Sequence, residues 1–175
     1  MPRQAVLVLG PESSGTRLVT RIFLAAGYWG DGDHAQRLEN GETPPPSRNI
    51  VWRKSYPHGE NWPNAVELAR DLRDKGFDVH AVVVMRDSYC CTRSQKARGH
   101  SNDKLKSRDA YRKAMLQIFK QVSEALLVSW ITVSYSELIL RGARAAKKLV
   151  EQINPYAKLD FTEKIVDENL KYYRP

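Results

Sequence analysis

The chain has 175 residues, of which 42% are hydrophobic, and its 28 lysines and arginines outnumber its 20 aspartates and glutamates to give a net charge of +8. This length predicts one domain, residues 1–175, with a buried core. No apolar run approaches the roughly 20 residues that cross a bilayer, so a membrane span is not expected. The positive charge suits an anionic ligand, but it equally fits a solvated basic surface.

The only cysteines are the neighbours Cys90 and Cys91, and a disulfide between adjacent cysteines would be strained. We interpret both as reduced thiols that pack rather than react. The apolar stretch at the start is too short for a signal peptide, so a cytoplasmic protein is expected. The histidines and cysteines have no metal-ligand spacing, and no metal is expected.

The first βα unit carries the clearest signal in the chain. Ala5–Leu9 predicts a buried strand, and Thr16–Ala26 predicts an amphipathic helix that ends at Gly27. A run of backbone N–H groups at a helix N-terminus, with small side chains around it, forms an anion site. The glycine- and serine-rich turn between the two elements, residues 10–15, is therefore expected to bind an anion.

The spacing of Gly10 and Gly15 in this turn is that of a P-loop. In loops that bind nucleoside triphosphates, the last glycine precedes a lysine that contacts the phosphates and a hydroxyl that binds Mg²⁺. Here Thr16 and Arg17 follow instead. The turn is therefore predicted to bind a phosphate-like group other than a metal-bound triphosphate.

The rest of the chain alternates apolar segments with helical patterns. After α-helical Thr16–Ala26 we predict strands over Ile50–Arg53, Asp78–Met85 (central) and Val128–Val133 (buried). The predicted helices are Pro63–Lys75, Arg86 to Ala97, Arg108–Leu127, one from the capping box of Ser134 and Glu137 to Ile153, and a short piece over Thr162–Leu170. The predicted loops are a long one over Tyr28–Asn49, Lys54–Asn61 and a polar one over Gly99–Ser107. This alternation predicts an α/β fold, a three-layer sandwich around a central parallel sheet, of the P-loop nucleotide-binding type.

Ligands of such sheets bind beyond the carboxyl ends of the strands. The segments predicted to lie there are Gly10–Arg17, Lys54–His58, Arg86–Ser94 and Tyr135–Glu137. Arg86 ends the central strand, and Ser94 follows it by about two helical turns. Alone, this pair would almost always be a surface arginine and an ordinary serine, and its weight comes from its position after a second central strand.

Three pieces of the chain, VLGPESSGTRLVTRIFL, VVVMRDSYCCTRSQ and ITVSYSELI, resemble the P-loop sulfotransferases, which use 3′-phosphoadenosine 5′-phosphosulfate (PAPS). The family's 5′-phosphosulfate loop is matched by Ser13, Ser14, Gly15, Thr16 and Arg17, its strand-end arginine and later serine by Arg86 and Ser94, and its late Y-E-D-L segment by Tyr135–Leu138. The resemblance implies that PAPS is the co-substrate, with its phosphosulfate on residues 13–17 and its 3′-phosphate on Arg86 and Ser94. An unidentified hydroxyl or amine acceptor, on a carbohydrate or a small molecule, would attack the sulfur.

The family's K-T-H-x-P segment is only partly matched. Lys54 and Ser55 fill its first two positions, Tyr56 stands where the histidine would be, and His58 comes two residues later. The resemblance implies that Lys54 and Arg17 stabilise the sulfuryl charge and that His58 accepts the acceptor's proton, ahead of Tyr56 or Glu12. His58 fits a surface loop residue equally well.

One departure from the family keeps other functions open. Ser13 occupies a position where the family has lysine or arginine, so that Lys54 or Arg17 would have to substitute for it. The alternatives are a small P-loop kinase that uses ATP and a nucleotide-binding protein without catalysis. No recognisable nucleic-acid-binding module is present, and nucleic acid is not an expected partner.

Overall fold

The computed structural model describes residues 3–32, 37–57, 61–97, 99 and 104–159. In chain order the elements are β1 (Arg3–Pro11), α1 (Thr16–Ala25), β2 (Trp29–Gly30), β3 (Ile50–Tyr56), α2 (Ala65–Asp74), β4 (Phe77–Met85), α3 (Ser88–Ala97), α4 (Lys104–Glu124), β5 (Ser129–Ser134) and α5 (Tyr135–Ile153). The strands form one sheet in the order β2-β3-β1-β4-β5, and every pairing is parallel. The predicted α/β fold with a central parallel sheet is confirmed.

Helices cover both faces of this sheet. Along β1, Ala5, Leu7 and Leu9 belong to one apolar cluster with residues of α2 and α4, while Val6 and Val8 belong to a second cluster with residues of α1 and α5. The residues that point to either face of the sheet from β1 and β4 are mostly apolar, because a central parallel strand has no solvated face. None of the helices in the described part of the chain is long and apolar enough to cross a membrane.

Strand β3 is longer than predicted, which moves a candidate catalytic residue. Lys54, Ser55 and Tyr56 were expected in a loop, but they continue the strand. Lys54 pairs in register with Leu9 and Tyr56 pairs with Pro11, so the extension follows from pairing with β1. The polar segment that was predicted to be a loop is therefore held in the sheet by backbone pairing with β1.

The sheet edges also differ from expectation. Strand β5 was predicted to be buried, but it is an edge strand on which half-buried and exposed positions alternate along most of its length, and Trp130 is 42% exposed. At the other edge, β2 has only two residues and was included in the long loop 28–49. Short or one-sided edge strands carry too little apolar pattern to be distinguished from a central strand or a loop.

Helix ends differ from the predictions by a few residues. Helix α2 begins after Asn64, whose side chain accepts from Val66 N and Glu67 N, rather than at Pro63. Helix α4 begins at Lys104, inside the segment predicted to be a loop. The predicted cap of α5 is present, since Ser134 Oγ accepts from Glu137 N, but Gly142 interrupts the helical backbone. The predicted piece Thr162–Leu170 lies outside the described residues.

The turn between β1 and α1 is packed closely against the start of α5. Gly15 has φ 101°, in the left-handed region that favours glycine. A Cβ atom on Gly15 would lie 2.1 Å from Cδ2 of the Tyr135 ring, which is itself buried. Glycine is required here by both its backbone angle and its neighbour.

We predict that Gly15→Ala destabilises the fold more than Gly27→Ala. Gly27 also has a left-handed φ, of 87°, but a Cβ there would meet nothing within 4 Å. Gly27→Ala should therefore cost about 1–2 kcal/mol of unfolding free energy from the backbone alone. Gly15→Ala adds the overlap with Tyr135, on the order of 1–3 kcal/mol more. Urea unfolding measures both, and equal losses would contradict the packing of Gly15 on Tyr135.

Candidate functional site

The turn of residues 11–15 presents a helix N-terminus with no competing cap. Ser14 N donates to Pro11 O at 3.0 Å, and Ser13 adopts a left-handed φ of 66°. Gly15 is the N-cap of α1 and makes no side-chain cap, and the first turn of this helix has no acidic residue. The positive end of the α1 dipole therefore lies at this turn, an arrangement that suits an anion.

Arg86 at the end of β4 contacts this turn directly. The residue is 6% exposed, and its Nη1 donates to Ser13 O at 3.2 Å. Its guanidinium carbon lies 4.4 Å from the centroid of the Tyr135 ring, a cation–π contact that fixes its orientation. The structure thus brings together two segments that the sequence placed 73 residues apart.

Helix α3 packs on the same turn through one face. Cys91 Sγ lies 3.7 Å from Ser13 O, and Gln95 Nε2 donates to Glu12 O at 3.1 Å. Ser94 lies between them on this buried face and is 1% exposed. The predicted phosphate ligands Arg86 and Ser94 therefore lie on elements that contact the turn.

Three serine hydroxyls at this site are buried without a hydrogen-bond partner among the described residues. They are the side chains of Ser13, Ser14 and Ser94. A buried hydroxyl without a partner costs about 1–3 kcal/mol, and most buried polar groups in proteins are satisfied. Unsatisfied donors beside a helix N-terminus and an arginine indicate a place for a ligand that has several acceptor oxygens.

Lys54, a predicted catalytic residue, is engaged by two neighbouring side chains. Its Nζ forms an ion pair with Glu39 and lies 4.7 Å from the centroid of the Trp52 ring. The Lys54 side chain is only 12% exposed. Glu39 could not be recognised as a site residue from the sequence, because the long polar loop has no pattern that distinguishes one of its residues from another.

Asp31, at the carboxyl end of β2, was also missed. It is 2% exposed, and its Oδ1 accepts from Leu38 N at 3.0 Å. Burial raises the pKa of the Asp31 carboxyl, and the negative charge of Glu39 raises it further, while Arg53 and Lys54 lower it. Residues directly after a parallel strand are candidates for a ligand site, but β2 is too short to be recognised in the sequence, so Asp31 could not be placed there.

The remaining candidates have different surroundings. Thr16 is buried at the first position of α1, whereas Arg17 beside it is exposed. His58 lies outside the described residues. Tyr56 is fully buried, its hydroxyl donates to Gln121 Oε1 at 2.7 Å, and burial raises the pKa of its phenol. The interpretation of Tyr56 as a base is therefore wrong, because its hydroxyl is committed inside the core.

Neither Cys90 nor Cys91 forms a disulfide, as expected. Burial raises the pKa of the Cys91 thiol to about 12, partly offset by Arg86, so it has little thiolate character at neutral pH. Cys91 therefore belongs to the packing of α3 on the turn. Within the described ranges, no three histidine, cysteine, aspartate or glutamate side chains are grouped in a way that would hold a metal ion.

Comparison with known proteins adds no assignment. No protein-family model matches the chain, and a search of curated proteins found no match. The resemblance to sulfotransferases therefore depends on the motif residues and on the site that they form.

We predict that Ser94→Ala leaves the free energy of unfolding unchanged or raises it by about 1 kcal/mol, because it removes a buried hydroxyl that has no partner among the residues that the structure describes. The same change should weaken binding of adenosine 3′,5′-bisphosphate, the nucleotide that remains when PAPS loses its sulfuryl group. Urea unfolding and calorimetric titration measure the two effects.

Thr92→Val is the matched control on the same helix. Its Oγ1 donates to Ser88 O at 2.8 Å, so its loss should cost about 1 kcal/mol of stability and leave ligand binding unchanged. A Ser94→Ala variant that is destabilised like Thr92→Val, with normal binding, would show that Ser94 has only a structural role.

Proposed function

We propose that this protein is a PAPS-dependent sulfotransferase, which moves a sulfuryl group to a hydroxyl or amine acceptor. The observation that carries the proposal is the group of buried serine hydroxyls, Ser13, Ser14 and Ser94, which have no partner in the described part of the chain and lie beside the N-terminus of α1 and Arg86. These donors are grouped around one turn, and an anion with several oxygens would satisfy them.

The donor groups match the two anionic ends of PAPS. Ser13, Ser14 and the first amides of α1 suit the 5′-phosphosulfate, since hydroxyl and backbone donors at a helix N-terminus bind phosphate-like groups without a metal. Arg86 and Ser94 suit the 3′-phosphate, which ATP and AMP lack. The absence of a lysine after Gly15 in the sequence fits a donor other than a metal-bound triphosphate.

In the proposed reaction, an oxygen or nitrogen of the acceptor forms a bond to sulfur while the bond from sulfur to the bridging phosphate oxygen breaks. The electron pair of that bond stays on adenosine 3′,5′-bisphosphate, the leaving group. The turn amides, Arg17 and Lys54 stabilise charge on the sulfuryl oxygens and the leaving oxygen. His58 is the predicted acceptor of the proton that the nucleophile releases.

A second candidate function is nucleotide binding without turnover. Two observations favour it: Ser13 stands where the family has a basic residue, and the ammonium of Lys54 is paired with Glu39. The kinase alternative instead requires that the turn prefers Mg²⁺–ATP.

Calorimetric titration with adenosine 3′,5′-bisphosphate, Mg²⁺–ATP and AMP tests the proposal. We expect micromolar binding of the bisphosphate and weaker binding of the other two. Arg86→Lys should lower the bisphosphate affinity about tenfold, because lysine keeps the charge but loses the paired donors of the guanidinium. Arg70→Lys, at an exposed position of α2, is the control and should have no effect.

The outcomes separate the candidate functions. A preference for Mg²⁺–ATP would point to the kinase, and no binding of the bisphosphate would overturn the proposal. Binding without transfer of ³⁵S from labelled PAPS to any acceptor of a broad panel would support the non-catalytic function.

A further inference from the structure

A short segment between β2 and β3 covers the side chain of Lys54. This segment, residues 37–42, is here named the strap. Its internal hydrogen bonds join Gly41 N to Leu38 O at 3.2 Å and Glu42 N to Arg37 O at 2.9 Å. Because these bonds are local, they shape the strap as a compact turn without attaching it to the sheet.

Among the described residues, three polar contacts of the strap attach it to the sheet and to Asp31. Leu38 N donates to Asp31 Oδ1, and the Arg37 guanidinium lies 5.5 Å from the centroid of the Trp29 ring. The third is the ion pair of Glu39 with Lys54. Leu38 also packs against the apolar cluster below. The ion pair of Glu39 with Lys54 therefore contributes to the attachment of the strap.

Lys54 also lies beside the candidate anion site. It pairs in register with Leu9, the residue before Gly10, and adjacent strands are about 4.8 Å apart. Two residues later, Tyr56 O accepts from Glu12 N at 3.2 Å, so the end of β3 is bonded to the turn. The flexible stem of Lys54 thus starts next to the turn, although its ammonium is held by Glu39.

We propose that Glu39 and the 5′-side anion of a bound nucleotide compete for Lys54, so that nucleotide binding releases the strap. This inference rests on the proposed function, since it requires an anion on the turn. The Lys54 ammonium attracts both the Glu39 carboxylate and the anion, and the carboxylate and the anion repel each other. A ligand that binds the Lys54 ammonium must therefore break its ion pair with Glu39 and weaken the attachment of the strap.

The test measures hydrogen exchange of the Leu38 amide by NMR, because this amide donates to Asp31 from within the strap. Glu39→Gln removes the ion pair at constant size and should lower the Leu38 protection factor about two- to fivefold. The control is Glu42→Gln, an exposed carboxylate on the same strap, which should change nothing. Saturating adenosine 3′,5′-bisphosphate should lower protection in the wild type to the level of Glu39→Gln.

Calorimetry supplies the second readout. Glu39→Gln should bind the bisphosphate about three- to tenfold more tightly, and this gain should vanish when Lys54→Met is also present, because no ammonium is left to release. Bisphosphate that binds normally but leaves or raises Leu38 protection would overturn the competition and leave the proposed function intact. No bisphosphate binding in the wild type would overturn both.

Discussion

The packing of the Tyr135 ring between Gly15 and Arg86 is the contact on which the site depends. A side chain on Gly15 would overlap the ring, and the Arg86 guanidinium lies over it. Tyr135 thereby joins the first turn of α5, the turn after β1 and the end of β4, three segments that are distant in sequence. Arg86 completes the arrangement by donating to Ser13 O, so the turn has one defined position relative to β4.

Within this rigid frame, the unsatisfied hydroxyls are better explained by ligand binding than by packing. Each costs about 1–3 kcal/mol when it is buried alone, and a typical domain is stable by only about 5–15 kcal/mol. Alanine at Ser14 or Ser94 would fill nearly the same space without that cost. Ser13 adds a left-handed backbone angle that glycine adopts with less strain. Local costs of this kind are concentrated at functional sites.

The parts that could be predicted from sequence are those with strong periodic patterns. The apolar run of β4 and the amphipathic face of α1 are buried in the core, where pattern and structure agree. The position of Lys54 in β3 could not be predicted, because the pairing of that strand with β1 is a tertiary contact. Glu39 and Asp31 were missed for a related reason: they are ordinary polar residues of a long loop until the fold brings them beside Lys54.

The position of Ser13 explains why the positive charge that would stabilise a transferred group has to come from other residues. Its hydroxyl is buried, and its carbonyl accepts from both Arg86 and Cys91, so the turn is enclosed by side chains at that point. A lysine or arginine there would have to extend through this packing. Besides Arg86, which donates to the turn, the cations nearest to it in sequence and register are Arg17, which is exposed, and Lys54, which is paired with Glu39. Any contribution of Lys54 to charge stabilisation at this turn therefore depends on breaking its ion pair with Glu39.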